Sequence, residues 1–191
     1  MKHRIFIAIN LPEDAKKKLV EYQDKWPDLP VRWTKKENLH ITLIFLGYLS
    51  DEELLDVIET TKKTADNNSV FSINLNKVCY GPPKKMPPRM VWVTGEKSKE
   101  LGKLQSDLEN SLLSSAALVK EGLSENRPHS PHITLGRIKT WEWRQMEVEE
   151  RPEVNEEISL TFEVNSIEVM ESQLRRGGPN YTVLESFQLK E

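Results

Sequence analysis

A single cysteine, Cys79, is the whole thiol complement of this 191-residue chain. That scarcity excludes an intramolecular disulfide, a CxxC redox pair and a cysteine-rich zinc site. Histidine is also sparse, at four residues, and no HExxH or comparable metal spacing occurs among them. Long apolar runs are missing. The first, Ile5–Ile9, is soon followed by Glu13 and Asp14 and is too short for a signal-peptide core or a membrane span. No glycine-rich phosphate loop is present, which argues against nucleoside triphosphate use. Nor does one sign of charge dominate. Lys and Arg number 27 against 30 Asp and Glu, for a net charge of −3. Any polyanion site must then be a local basic patch on a mildly acidic body. With 37% hydrophobic and 30% charged residues, the chain reads as a soluble globular protein of the cytoplasm with no membrane partner.

Against this background one tetrapeptide is written twice, as His40-Ile41-Thr42-Leu43 and as His132-Ile133-Thr134-Leu135. Two of the four histidines open these copies. Side chains alternate faces along a β-strand. His40 and Thr42 would therefore share one face, with Ile41 and Leu43 anchoring the other. His132 and Thr134 repeat the arrangement over Ile133 and Leu135. A threonine alone in a strand is usually just a good β-former, and a lone histidine is often structural. A core, however, has no need of the same polar pair twice. Two imidazoles can divide acid and base work near neutral pH, and two hydroxyls can donate to a phosphate.

The copies stand close to half the chain apart, and the pattern around them repeats. Arg4–Leu11 reads as a strand, followed from Pro12 by a helix to about Lys25. Val31–Trp33 reads as a short edge strand. The first HITL strand is expected from Leu39 to Leu46, ending at Gly47. Ser50 with Glu53 three residues later forms a capping box for a helix reaching about Asp66, and Val70–Tyr80 alternates as a strand. After the Pro-rich loop Gly81–Met90 come strand Val91–Val93 and an amphipathic helix, Ser98 to Leu113, with Leu101, Leu104, Leu108 and Leu112 in register. The second HITL strand follows from His132 to Ile138. A short helix within Thr140–Glu150, one strand Ile158–Met170, a turn at Arg175–Pro179 and a strand Tyr181–Leu189 complete the chain. The expected class is α+β. Residues 1–191 form a single domain with two pseudo-symmetric lobes, roughly 1–90 and 91–191 and free to interleave. Each lobe is an antiparallel sheet with outer helices, and the two face a central cleft. Nothing demands a dimer, and a monomer is expected.

Basic residues cluster near the second motif at Arg127, Arg137 and Lys139. Arg137 is the best anion ligand because a guanidinium can take two phosphate oxygens. Ideal alternation would point it away from His132, but Gly136 before it permits a bulge that would re-aim it. Lys35 and Lys36 extend the patch, whereas Lys84-Lys85 and Arg175-Arg176 read as solvated loops. Trp33, Phe45, Trp92 and Tyr181 are candidate stacking residues. Of these, Phe45 alternates with Ile41 and Leu43 and so reads as core. Metal catalysis would need a distant carboxylate as third ligand, so no metal site is expected.

Together the paired motifs resemble the 2H phosphoesterase superfamily, and more closely the RNA 2′,3′-cyclic phosphodiesterases, also called 2′-5′ RNA ligase-like proteins. The likeness spans nearly the whole chain: RIFIAINLP, VRWTKKENLHITLIFLG, PPRMVWV, RPHSPHITLGRIK and ESQLRRGGPNYTVLESFQL. It implies hydrolysis of an RNA 2′,3′-cyclic phosphate to a 2′-phosphomonoester without metal or other cofactor. In that scheme His40 is the proton donor and His132 the proton acceptor, while Thr42, Thr134 and Arg137 bind phosphate. Run backwards, the same site would join ends through a 2′-5′ linkage. Other substrates fit the same fold, such as 2′-5′ oligonucleotides or small cyclic nucleotides, and a non-catalytic RNA-end or nucleotide-binding module is a different class of reading. His129 departs from the family, where an aromatic residue commonly precedes the second Pro-His. It is either a stacking substitute or a third titrating group.

Overall fold

Alternation decides the faces of the central strands. In β1 (His3–Asn10) Ile5, Ile7 and Ile9 are buried in the main core, while Phe6 and Ala8 point to the opposite side. The computed structural model describes residues 2–114, 132–176 and 178–191. After β1 come α1 (Glu13–Gln23), β2 (Val31–Trp33), β3 (His40–Leu49), α2 (Asp51–Asp66), β4 (Phe71–Gly81), β5 (Met90–Gly95) and α3 (Lys99–Ser114). Then follow β6 (His132–Ile138), α4 (Thr140–Gln145), β7 (Asn155–Val164), β8 (Ser166–Arg175) and β9 (Gly178–Gln188).

The described strands make one antiparallel sheet in the order β7-β4-β5-β6-β3-β1-β8-β9, with β2 on β6. The two sheets expected from sequence are thus joined. The joint is the pairing of the two HITL strands, with Ile41 opposite Ile133. Chain order and lobe order differ as well. β4 leaves the first half to pair with β5 and β7, and β8 returns to β1 with β9 on its outer side. A division near residue 90 therefore does not follow the pairing.

Local chemistry explains the elements. The capping box is present: the Glu53 N–H donates to Ser50 Oγ, and the Ser50 N–H donates to the Glu53 carboxylate. Such a cap contributes about 1 kcal/mol. Leu101, Leu104, Leu108 and Leu112 are almost fully buried, and cutting any of them to Ala would cost about 2–5 kcal/mol. Several features depart from expectation. β3 runs through Gly47, whose φ of +75° a glycine adopts without steric cost. The run 158–170 is two strands separated by Asn165, because β7 pairs in one lobe and β8 in the other. Phe45 is half exposed rather than core.

The Phe45 reversal has a definite cause. Against β1, Thr42 opposes Ala8 but Ile44 opposes Ile7, leaving Leu43 as an extra residue. Leu43 and Ile44 are both buried, and alternation resumes one residue late. β6 does the same against β5: Thr134 opposes Trp92, Gly136 opposes Val91, and Leu135 is extra. Each HITL copy thus carries a bulge at its leucine, and the residue five positions after the histidine turns to the histidine's face.

Candidate active site

The Ile41–Ile133 pairing sets the site. Antiparallel strands meeting there place His40 opposite Thr134 and Thr42 opposite His132. All four side chains line one cleft of about 460 Å³, together with Arg137 and Tyr181. The isoleucines anchor the other face, with no measurable exposure.

His40 is held on both nitrogens. Its Nδ1 donates to the Asn38 carbonyl at 2.7 Å, which leaves Nε2 as the working atom, 3.0 Å from the Thr42 hydroxyl. Phe6 lies 5.1 Å from the imidazole, and Tyr181 meets it nearly perpendicularly at 5.1 Å. Burial among these rings pushes the His40 pKa below the usual histidine value. The Asn38 carbonyl opposes the shift, while the charges of Lys16 and His132 add to it. His132 has a different setting, face to face with the Trp92 indole at a centroid distance of 3.9 Å. The stack fixes the plane of the imidazole.

Arg137 turns into the cleft through the bulge at Leu135-Gly136. Arg32 stands directly across from it on β2 and lines the same cleft with Lys35. Like charges directly opposite repel, and no Asp or Glu lines the cleft among the described residues. An anion between them would remove that repulsion. Burial raises the Tyr181 phenol pKa, with the Arg137, Arg4 and Arg32 charges pulling the other way.

Some candidates stand elsewhere. Lys36 is paired with Glu13 at 2.6 Å and Lys139 with Glu142 at 3.0 Å. Lys84, Lys85 and Arg176 are exposed. Trp33 lines the cleft, whereas Trp92 is committed to His132. Arg127 and His129 lie outside the described residues. Among those described, no three His, Cys, Asp or Glu side chains gather as metal ligands, and no helix is long and apolar enough to cross a membrane.

Three positioning residues escaped the sequence reading, and a fourth, Trp92, was singled out there only as a stacking candidate. Asn38 offers its carbonyl to His40 and donates through its side chain to the Pro179 carbonyl at 3.0 Å, tying the start of β9 to the site. Buried Gln23 donates to the Thr34 and Leu135 carbonyls. Lys16, only 5% exposed, puts its charge near His40. Trp92 orients His132. Their contacts join distant segments, and only the register could have revealed them.

Two histidines and two hydroxyls converging beside guanidiniums make a site of the phosphoester-handling class. The comparisons give it a family. The model of the LigT-like phosphoesterases matches twice, over residues 9–92 and 95–181, and the chain belongs to that family. A Thermus thermophilus protein named RNA 2′,3′-cyclic phosphodiesterase is 31% identical over 98% of this chain and 90% of its own. A Methanocaldococcus jannaschii protein of the same name is 26% identical over 96% and 99%. A crystal structure of a Thermus thermophilus protein superposes with a TM-score of 0.82 at 30% identity, covering 97% of both chains. Escherichia coli LigT complexed with NADP+ gives 0.77 at 25% identity over all of both.

Proposed function

We propose that this chain hydrolyses RNA 2′,3′-cyclic phosphate ends to 2′-phosphomonoesters, without a metal. The observation that carries the proposal is the antiparallel contact of the two HITL strands, which aligns two imidazoles and two hydroxyls in a cleft lined by cations. The relatives named RNA 2′,3′-cyclic phosphodiesterase act on the substrate this chemistry fits. All of the machinery comes from one chain, with each lobe supplying one motif, so residues 1–191 act as a single catalytic unit and a monomer suffices.

In this mechanism the cyclic phosphate lies between the histidines. The Thr42 and Thr134 hydroxyls and the Arg137 guanidinium donate to its oxygens, where charge builds in the transition state. His132 takes a proton from water, whose oxygen forms the new bond to phosphorus. The bond to the 3′ oxygen breaks, and His40 delivers its Nε2 proton to that oxygen. The setting of His40 suits its role, because the imidazole loses its charge in a buried place when it gives up the proton. A depressed pKa makes His40 a strong acid once the bound phosphate anion has kept it protonated. Reversal of the same steps would join a cyclic end to a 5′-hydroxyl through a 2′-5′ linkage.

The test is incubation of purified protein, in EDTA, with a short RNA ending in a 2′,3′-cyclic phosphate. A 2′-phosphate product is expected. A 3′-phosphate would reverse the leaving group, and turnover only on adding metal would overturn the metal-free mechanism. An unreacted end in both conditions would overturn the reading itself.

A further inference from the structure

The charge lining the cleft exceeds what one cyclic phosphodiester needs. Arg32, Lys35 and Arg137 face it without a lining carboxylate among the described residues, while a cyclic diester carries a single negative charge. A fourth cation stands on the first lobe. Arg4 lies on the cleft face of β1 by alternation with Phe6 and Ala8. Its guanidinium sits 4.9 Å over the ring of Phe45. The Phe45 ring is 50% exposed, although the bulge that turned it out of the core aligns it with the site. His40, Phe6 and Phe45 follow one another at ring separations of 5.1 and 6.4 Å. Phe45 and Arg4 thus form a ledge outside the catalytic cleft, joined to His40 through the Phe6 ring. A half-exposed ring covered by a guanidinium on a flexible stem takes a base by stacking once the guanidinium swings from the ring to the base's phosphate.

We infer that Arg4 and Phe45 form a subsite for the penultimate nucleotide of an RNA end, Phe45 stacking its base and Arg4 meeting the phosphodiester that links it to the terminal residue. This rests on the cyclic phosphodiesterase reading and deepens it: the enzyme selects oligonucleotide ends over cyclic mononucleotides.

The test compares kcat/KM for a 2′,3′-cyclic mononucleotide and for a dinucleotide and trinucleotide ending in a 2′,3′-cyclic phosphate. Parent, Arg4→Met, Phe45→Ala and Phe45→Leu are assayed, the last keeping contact with Phe6 while removing the aromatic face. The parent should favour the dinucleotide about tenfold or more over the mononucleotide, the scale of one stacked base. The trinucleotide should add little. Each variant should lose most of that preference. Equal kcat/KM for mononucleotide and dinucleotide in the parent, or variants that lose equally on both, would overturn the subsite. If no substrate turns over, the activity reading fails separately. Binding of 2′-phosphorylated dinucleotide against mononucleotide then decides the ledge, and equal affinities would sink it.

Discussion

Gly81→Ala perturbs the catalytic centre without touching a catalytic side chain. A Cβ on Gly81 would lie 2.1 Å from Trp92 Cδ2, 2.5 Å from Cε3 and 2.6 Å from Cε2. Ordinary carbon contacts are about 3.5–4.0 Å, so the indole must shift by about 1.5 Å. That indole is the ring stacked 3.9 Å from His132. The overpacking should cost about 1–3 kcal/mol, which lowers Tm by about 2–4 °C per kcal/mol in a chain of this size. A displacement of about 1 Å at a reacting group can cost about 10²-fold, so kcat should fall between about tenfold and a hundredfold. Trp92→Leu alone should cost about two- to fivefold through the lost ring pairing of about 0.5–1 kcal/mol. The decisive assay is the double-mutant cycle, read by thermal denaturation and by kcat on a cyclic-phosphate end. With Trp92 shortened, the methyl group added at position 81 meets no indole, and its cost in both readouts should largely vanish. Parental kcat in Gly81→Ala, or an equal penalty with and without Trp92, would refute the role assigned to the stack.

His40→Ala and His132→Ala should each lower kcat by about 10²-fold or more with Tm near the parent's, since both side chains face a polar cleft; a variant turning over at the parental rate would remove that histidine from the mechanism. The pH profile of kcat/KM should be bell-shaped. His40 must be protonated to act as the acid, so activity is lost as pH rises through its pKa, and the depressed value moves this alkaline limb below the usual histidine range. Lys16→Met removes a nearby positive charge and should shift the limb upward, and an unmoved limb would dismiss the Lys16 effect. Stability should respond to pH through His3, which contacts Glu171 at 2.7 Å and Asp51 at 2.9 Å. These partners raise the His3 pKa, so its contribution is full below the unfolded value and is lost as pH rises through the raised one. Asp51 and Glu171 are lowered, chiefly by His3, so theirs is full above the unfolded carboxylate values and is lost as pH falls through the lowered ones. The Tm gap between parent and His3→Ala should therefore be widest between about pH 4.5 and 6.5 and should narrow at pH 9; a gap independent of pH would contradict the linkage.

Much of the fold was legible because its signals are local. The Ser50–Glu53 cap, the leucine period of α3 and the bounds of β6 each rest on a few adjacent residues. What escaped depends on pairing between distant segments. The crossing at Asn165 is marked only by a one-residue shift of phase, the core positions Leu160, Phe162 and Val164 giving way to Ile167 and Val169, and which strands each run joins appears only in the pairing. Phe45 obeys alternation on paper and breaks it in space, because a bulge is a relation between two strands. Arg137 was rescued only because a glycine precedes it. Ile44 holds the equivalent place before Phe45 and gives no such warning. The contacts of Asn38, Gln23 and Trp92 likewise appear only when the register is known.

The matched bulges also explain how a duplicated scaffold can carry a directional reaction. Each HITL copy supplies the same imidazole and hydroxyl, and the Ile41–Ile133 contact relates the copies as near equals. Symmetry fails at the first residue that each bulge returns to the cleft face. That residue is Phe45 in one lobe and Arg137 in the other. Around the first lie Phe6 and Tyr181, and around the second Arg32. One histidine thus sits buried, which disfavours its charge, and the other stacks on an indole in the lobe that presents guanidiniums. A reaction that moves a proton into one side and out of the other needs this inequality. The exchange Arg137→Phe should therefore damage the site more than Arg137→Lys, which keeps a charge at that position. If both variants lowered kcat/KM equally, the second lobe would owe its anion preference to Arg32 and Lys35 instead.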